Sequence, residues 1–371
     1  MMNEENDIDE WIFNSFKKYH KLQMFGIDKS IISMELSSSS SICLACNKKE
    51  NIGFEILDLE LPNKLFQLEN EPDSLNTSRD LKMKCGTLTK NSLIDMKTLF
   101  NKNKIILSEK GIKNVSLYQV NTNNSDQMCP LLSFDSKIDG GKLAVHQLNN
   151  SLVIWGKENV KQCGHIFDIE KNKCMQTLGD EDNDLISSYL PQFTSNNELL
   201  VLNSDTGSFT LYNLIDGQKI STVSQQENNS HKWIASSIPN TFKNNSINNN
   251  ITMVSNGGEL LMYDLRFLKI PKVHKKNVFP KCSNKLGISM DPNNFKNYAI
   301  SGFDENIYIY EELNNEDFKL KFKHEGHLYT ENDNSSYNNV TSGAVWLPMC
   351  GNNTLISSAN DGSIQGWQYI S

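Results

Sequence analysis

The order of hydrophobic and polar positions changes after residue 30 of this chain. From there on, short apolar runs alternate with turns rich in Ser, Asn, Gly and Asp, a pattern typical of β-strands joined by tight turns. With small variations, seven segments share one order: an apolar strand, a turn, and a second strand with an aromatic and polar ending. These segments span residues 41–61, 104–120, 151–169, 198–215, 251–265, 297–313 and 354–370.

The spacing of these segments indicates a repeat architecture. Aromatic residues near the ends of successive second strands lie 45 to 57 residues apart, at Tyr118, Phe167, Tyr212, Tyr263, Tyr310 and Trp367. A WD-type propeller blade repeats at about 40–45 residues, and Asn-rich loops account for the longer period here. Apolar runs before and after each segment give four strands per repeat. We therefore predict an all-β, seven-bladed β-propeller, in which radial repetition leaves few open sheet edges.

The last repeat has only three strands, because the sequence reaches Ser371 directly after the third. The one extended segment not assigned to a blade lies near the other end of the chain, around residues 22–27. We therefore predict that this segment supplies the fourth strand of the seventh blade and closes the ring.

The N-terminal residues have the periodicity of a helix. Apolar side chains recur at spacings of three and four, at Ile8, Trp11, Ile12, Phe16 and Tyr19. This predicts an amphipathic helix over residues 8–24. It divides the chain into an acidic N-terminus with a helix at 1–25 and a propeller at 26–371. The apolar stripe either packs on the propeller or presents Trp11 or Phe16 to a partner.

Composition limits the surroundings and partners of the 371-residue chain. Its 44 acidic and 36 basic residues give a formal net charge of −8, which does not favour direct nucleic-acid binding. The sequence shows neither a secretory signal nor an apolar run near the ~18–20 residues that span a bilayer. Its eight scattered cysteines are too sparse for a disulfide scaffold. We therefore expect a soluble protein of a reducing compartment, without membrane contact.

One motif in the last repeat combines residue types that also occur in catalytic triads. His327, Ser357, Asp361 and Trp367 match the His, Ser, turn Asp and Trp of a WD repeat. We predict a hydrogen-bonded network inside the blade rather than a hydrolytic site, because the turn and the Trp belong to the framework of the blade. No other catalytic set is assembled in the sequence, so we predict that the protein is not an enzyme.

Two further motifs resemble metal sites but are incomplete. One of the two residues that must follow the Glu of a zincin motif is missing between His324 and His327. Cys43 and Cys46 have the C-x2-C spacing, but no second pair stands at a suitable distance, and strand residues three apart point to opposite faces. We therefore predict two buried small side chains, no metal site and no cofactor.

The most basic stretch lies at residues 269–281, in a predicted loop and outer strand. It includes Lys272, Lys275 and Lys276. We interpret it as a solvated edge or a surface that contacts a protein partner, rather than as a nucleic-acid site. The acidic stretch at 180–184 is interpreted as a solvated loop.

Several of these motifs together resemble those of the WD repeat-containing protein 73 family. The resemblance is weaker between residues 120 and 240. The matching segments are residues 9–11, 85–97, 299–304, 326–327, 346–348 and 355–367.

The resemblance implies a non-enzymatic propeller, mainly cytoplasmic, that binds protein partners. Proteins of that family are linked to assembly of the RNA endonuclease module of the Integrator complex, and to microtubule and spindle-pole functions. We therefore expect a scaffold or assembly chaperone that binds Integrator endonuclease subunits. The alternative is a microtubule- or spindle-associated adaptor, with the basic stretch facing tubulin. An enzyme that uses the central channel is disfavoured, because the predicted inner strands at 286–290 and 341–346 are poor in His and carboxylates.

Overall fold

A computed structural model gives the fold of the chain as an almost purely β-structure. The part of the chain that it describes has 28 strands, one complete single-turn helix (α1, Asn63–Phe66) and two 3-10 turns (Gly326–Leu328 and Pro348–Cys350). Residues 13, 17 and 18 are also helical. No helix of these residues is long and apolar enough to cross a membrane. The described residues are 13, 17–47, 53–67, 78–120, 126–159, 161–179, 188–224, 231–236, 249–282, 285–313, 317–328 and 339–370.

The strands form seven four-stranded antiparallel sheets, which are the blades of a propeller. Blade 1 contains β2 (Ile31–Ser38), β3 (Ser41–Asn47), β4 (Phe54–Glu60) and β5 (Lys82–Leu88). Blade 2 contains β6 (Leu93–Leu99), β7 (Lys104–Glu109), β8 (Asn114–Gln119) and β9 (Cys129–Asp135). Blade 3 contains β10 (Lys142–His146), β11 (Ser151–Glu158), β12 (Lys161–Asp168) and β13 (Lys173–Gly179).

The remaining blades repeat the same order of strands, which we call a, b, c and d within each blade. Blade 4 contains β14 (Tyr189–Ser195), β15 (Glu198–Asn203), β16 (Phe209–Asn213) and β17 (Lys219–Val223). Blade 5 contains β18 (Trp233–Ala235), β19 (Asn250–Ser255), β20 (Leu260–Asp264) and β21 (Val273–Lys275). Blade 6 contains β22 (Gly287–Met290), β23 (Asn297–Ser301), β24 (Ile307–Leu313) and β25 (Asp317–His324).

Blade 7 is built from both ends of the chain. Its strands a to c are β26 (Thr341–Trp346), β27 (Thr354–Ala359) and β28 (Ser363–Tyr369), and its strand d is β1 (Tyr19–Gly26). β1 runs antiparallel to β28, with Leu22 opposite Trp367 and Phe25 opposite Ile364. The predicted closure of the ring by the N-terminal segment is therefore confirmed.

The seven repeats predicted from the apolar pattern are also confirmed. Each predicted segment coincides with strands b and c of one blade, as residues 297–313 do with β23 and β24. These strands are the most buried of their blades, so the apolar content of the sequence is highest there. Strand a of each blade lies at the central channel, where the first strands of neighbouring blades contact one another.

The predicted amphipathic helix over residues 8–24 is wrong from Tyr19 onward, where the chain forms β1. Lys17 and Lys18 are the last helical residues before it. The edge of β28 offers unpaired backbone groups that only an extended segment can satisfy, and this tertiary pairing overrides the local helical period. Strand β1 also crosses the predicted domain boundary after residue 25. Trp11 and Phe16 lie outside the described residues.

The hydrophobic core is divided among neighbouring blades. One cluster joins Ile307 and Ile309 of blade 6 to Trp346, Leu355 and Trp367 of blade 7. Cys43 and Cys46 are both buried free thiols on β3, and they belong to two different clusters. This confirms that they are buried small side chains on opposite faces of a strand.

The turns define two faces of the propeller. The upper face carries the b–c turns and the d–a connections between blades, and the lower face carries the a–b and c–d turns. Gly362, in the b–c turn of blade 7, has a φ of 95°, and a Cβ there would meet the carbonyl oxygen of Ile27 at 2.0 Å. Only glycine fits this position, because it tolerates positive φ and has no Cβ.

Candidate protein-interaction surface

The predicted network of blade 7 is a series of hydrogen bonds from Trp367 through Ser357 and His327 to Ser363. Trp367 Nε1 donates to Ser357 Oγ at 3.0 Å, and Ser357 Oγ lies 2.9 Å from His327 Nε2. Since the Trp N–H can only donate, the Ser357 hydroxyl is free to donate to His327 Nε2, which leaves the proton of the ring on Nδ1. Nδ1 then donates to Ser363 Oγ at 2.7 Å. Every donor and acceptor of this hydrogen-bond network is therefore paired without any ionised group.

Asp361, the fourth residue predicted for this network, makes no direct hydrogen bond to His327. Its carboxylate accepts hydrogen bonds from Ser363 N at 2.9 Å and from Asn339 Nδ2 at 3.0 Å. Asp361 therefore holds the turn and the incoming connection, one hydrogen bond away from the histidine. Ser357 is completely buried, so this set does not present a nucleophile to a substrate.

Burial keeps the two histidines of this region neutral. It lowers the pKa of His327 to about 4, and Asp361 offsets only part of that effect. Burial also lowers the pKa of His324 well below its usual value, and the neighbouring His327 adds to the shift. The ring of His324 stacks on Trp367 with centroids 4.3 Å apart. Both histidines are therefore neutral side chains packed in the interior of the blade.

A repeated contact joins the b–c turns to the connections of the upper face. In blades 4, 5 and 7, a turn side chain accepts a hydrogen bond from a backbone N–H of the connection that enters the same blade. The pairs are Asp205 with Ser188, Asn256 with Lys232, and Asn360 with Val340, at 2.8 to 3.0 Å. Short Asp and Asn side chains suit this task because they reach nearby backbone amides. The predicted turn residues therefore hold the upper face in place.

The central channel contains a group of charged side chains near the upper face. Lys97 Nζ lies 2.6 Å from Glu35 Oε1 and 4.0 Å from Asp95 Oδ1. Burial alone would raise the pKa of Asp95, but Lys97, Lys142 and the N–H of Leu143 hold it below its usual value. Both carboxylates are thus engaged by cations. The channel has a volume of about 510 Å³ and is lined by the first strands of the blades.

Lys285 gives this end of the channel an excess of positive charge. It lines the channel just before β22, together with Lys97, Lys142, Glu35 and Asp95. Desolvation lowers the pKa of Lys285, Asp95 opposes the shift, and the two other lysines add to it. Three ammonium groups against two carboxylates favour an acidic group of a partner over a basic one.

The lower face differs from the upper face in its apolar side chains. All exposed large hydrophobic residues that lie in turns of the described chain, or directly after its last strand, are on the lower face. They are Leu148, Ile215, Phe267, Ile270, Met349 and Ile370. Apart from Phe13, the others lie on outermost strands. In the described turns, the lower face is therefore the more apolar of the two faces.

The predicted basic stretch is largely neutralised by acidic neighbours. Lys272 Nζ lies 3.0 Å from Glu312 Oε1, and Lys275 pairs with Asp317 and donates to the carbonyl of Phe318 at 2.9 Å. Lys276 lies beside them in the connection that follows β21. Two of the three predicted contact lysines therefore bind blade 6 rather than extend into solvent.

Sequence reasoning missed both the channel charges and the apolar lower face. Lys97 and Lys142 lie on strands a, which have the weakest apolar pattern, and Lys285 lies just before one, so their convergence depends on the closure of the ring. The exposed residues of the lower face, such as Ile215 and Phe267, stand singly among polar turn residues. A count of large apolar side chains in the a–b and c–d turns, compared with the b–c turns and d–a connections, would have found them.

Seven four-stranded blades, the Trp–Ser–His network and the closure by a terminal strand define a WD-repeat β-propeller. No family model matches the chain. Over 98% of its length the chain is 23% identical to the Integrator complex assembly factor WDR73 of zebrafish, Danio rerio, and covers 97% of that protein. It is also 23% identical to the mouse (Mus musculus) protein of the same name, over 98% of both chains. The chain is thus a WDR73-like WD-repeat protein.

Proposed function

We propose that this protein is a non-catalytic scaffold that assists assembly of the Integrator complex. The observation that carries the proposal is the similarity from end to end to two proteins named as Integrator complex assembly factors. A relative that matched only one or two blades would support the fold alone, because WD patterning is shared by proteins of many functions. Here the N-terminal strand, the blades and the last repeat all fall within the matched length.

The geometry of the propeller supports binding rather than catalysis. The one set of residues that resembles a triad is sealed inside blade 7, and both channel carboxylates are paired with Lys97. Rigid blades with turns on two faces offer a large surface for partners. We place the partner contact on the lower face, around Ile215 and Phe267, whose side chains are 75% and 54% exposed.

The finer proposal concerns the partner. We propose that it is the RNA endonuclease module of the Integrator complex, as the family resemblance implies. A cytoplasmic location for this assembly step is part of the same proposal.

The experiment is affinity purification of the tagged full-length protein from its own cells, followed by mass spectrometry. The wild-type protein should retain Integrator subunits, with those of the endonuclease module enriched. An Ile215→Asp, Phe267→Asp double variant should lose them, because each aspartate would place a charge in an apolar contact. Absence of Integrator subunits from the wild-type eluate would contradict the assembly role.

A matched control tests the choice of the lower face separately from the assembly role. Asn114→Asp with Thr206→Asp adds the same two charges at exposed positions of the upper face. This control should retain the partner. If the lower-face variant also retained it, the assembly role would stand and the choice of the lower face would be wrong. Thermal melting of all variants would show that the fold is intact.

A further inference from the structure

Three metal-binding side chains converge at the b–c turn of blade 3. Glu158 Oε2 lies 3.0 Å from His165 Nε2 and 3.7 Å from Cys163 Sγ, and these last two atoms are 3.8 Å apart. A carboxylate oxygen, an imidazole nitrogen and a thiol sulfur thus form a small triangle. All three are ligand types that zinc uses in proteins.

The register of the hairpin explains why these residues meet. Glu158 pairs with Lys161 across the turn, and Cys163 and His165 follow Lys161 at intervals of two along β12. Directly paired residues share a face of the sheet, and so do residues two apart on one strand. The three side chains therefore project from the same face of blade 3.

The size of the triangle fits one tetrahedral ion. With Zn–S at about 2.3 Å and Zn–N and Zn–O at about 2.0–2.1 Å, tetrahedral angles place sulfur about 3.6 Å from either other ligand. The same geometry places nitrogen and oxygen about 3.3 Å apart. Each observed separation agrees to within about 0.3 Å, so small side-chain movements would suffice for coordination.

The surroundings suit a bound ion as well. Cys163 and His165 are each only 6% exposed, so the ion would be shielded on the inner side. The side chain of Glu158 is 29% exposed and opens a route from the upper face. Gly179 lies opposite Cys163 on β13, and a Cβ built there would have no atom of another described residue within 4 Å.

We propose that Glu158, Cys163 and His165 bind a single zinc-class divalent cation. The protein supplies three ligands, and the fourth position is open to water or to a donor from a partner. A mixed oxygen, nitrogen and sulfur set favours Zn²⁺ and Co²⁺ over Mg²⁺ and Ca²⁺, which prefer oxygen ligands. The ion would tie the two strands of the hairpin together at the upper face of blade 3.

The test is a titration of chelator-treated full-length protein with Zn²⁺, in competition with a chromophoric chelator. One ion should bind per chain. Cys163→Ser, His165→Gln and Glu158→Gln should each weaken binding by about 100-fold or more, since loss of even an outer-shell partner costs about 10–100-fold. Cys174→Ser is the matched control, because Cys174 is an exposed free thiol on the next strand, β13. It should bind like the wild-type protein.

Cobalt provides a readout that does not depend on stability. Co²⁺ bound to the wild-type protein and to Cys174→Ser should give tetrahedral visible bands and a thiolate-to-metal charge-transfer band. Cys163→Ser should lose the charge-transfer band even if it still folds, as shown by its circular dichroism. Absence of stoichiometric binding by the wild-type protein would overturn the proposal. So would equal binding by Cys163→Ser, or loss of binding only in Cys174→Ser.

Discussion

Blades 7 and 3 both bury a histidine near the upper face, but they surround it with different chemistry. In blade 7, His327 lies between the hydroxyls of Ser357 and Ser363, and every polar group of this hydrogen-bond network is paired. In blade 3, His165 faces the carboxylate of Glu158 and the thiol of Cys163. One blade thus uses its histidine to hold itself together, whereas the other keeps a set of metal ligands.

The buried tryptophans of the two blades also differ in the hydrogen bonding of their indole N–H groups. Trp367 Nε1 donates to Ser357, whereas Trp155 Nε1 finds no hydrogen-bond partner among the described residues. Blade 7 must join segments that lie more than three hundred residues apart, and closing such a long loop costs conformational entropy.

The largest effect should come from removal of strand β1. A protein without residues 1–26 would expose the backbone edge of β28 and uncover Trp367 and Ile364, which lie opposite Leu22 and Phe25. We expect a lower melting temperature than any single substitution produces. We also expect association through the open edge. Thermal denaturation and size-exclusion chromatography would measure the two effects.

A shorter deletion provides the control for this experiment. A protein without residues 1–16 retains all of β1, as well as the ion pair between Lys18 and Glu325 at 3.3 Å. It should melt close to the wild-type protein. If both deletions melted alike, blade 7 would not depend on its N-terminal strand.

The next effect is a loss of stability in acid. His327 has a pKa of about 4 in the folded protein and about 6.5 when unfolded. Between these values the unfolded state binds more protons, so the free energy of unfolding falls as the pH falls and is level above the window. His327 alone should cost about 2 kcal/mol between pH 7 and pH 5. Urea denaturation across this range would measure it.

A variant isolates the contribution of this histidine. Other groups, including His324, contribute to the same trend, so the comparison needs His327→Asn. The variant should be less stable at neutral pH and should lose less stability in acid, by about the same 2 kcal/mol. Parallel pH profiles for the two proteins would show that His327 is not the group responsible.

The sequence predicts the propeller well because strands b and c carry the apolar pattern themselves. Their buried runs, such as the one that ends at Trp367, are local features. The closure of the ring was also predictable, since a blade with three strands needs a fourth. The predicted helix over residues 8–24 is wrong from Tyr19 onward because Tyr19 fits a helical period as well as a strand. Only the free edge of β28 decides between them.

The side-chain sites were harder to predict, because they depend on register. Glu158 and Cys163 are five residues apart, and no motif search expects them to meet. Their contact follows from the pairing of Glu158 with Lys161, which the sequence does not state. The same limit applies to Asp361, where the residue type was correct for a turn but the hydrogen bond to His327 was not. Lys285 and Lys142 meet only because the ring closes.

The smallest effects should separate the two tryptophans. Trp367→Phe removes a hydrogen bond to Ser357 and opens a small cavity, so it should destabilise the protein by about 2 kcal/mol. Trp155→Phe opens a similar space but also removes a buried N–H without a partner in the described chain, and this offsets part of the cost. We expect less than about 1 kcal/mol there. Chemical denaturation of both variants would measure the difference.

A matched pair of larger truncations checks that packing does not cause this difference. Both rings are at most 2% exposed, so Trp367→Ala and Trp155→Ala should each cost about 3–5 kcal/mol. Similar losses for the alanine variants, with unequal losses for the phenylalanine variants, would assign the difference to the indole N–H. Equal losses for the two phenylalanine variants would mean that the hydrogen bond of Trp367 adds little, and that blades 7 and 3 differ in ligand chemistry but not in how their tryptophans stabilise them.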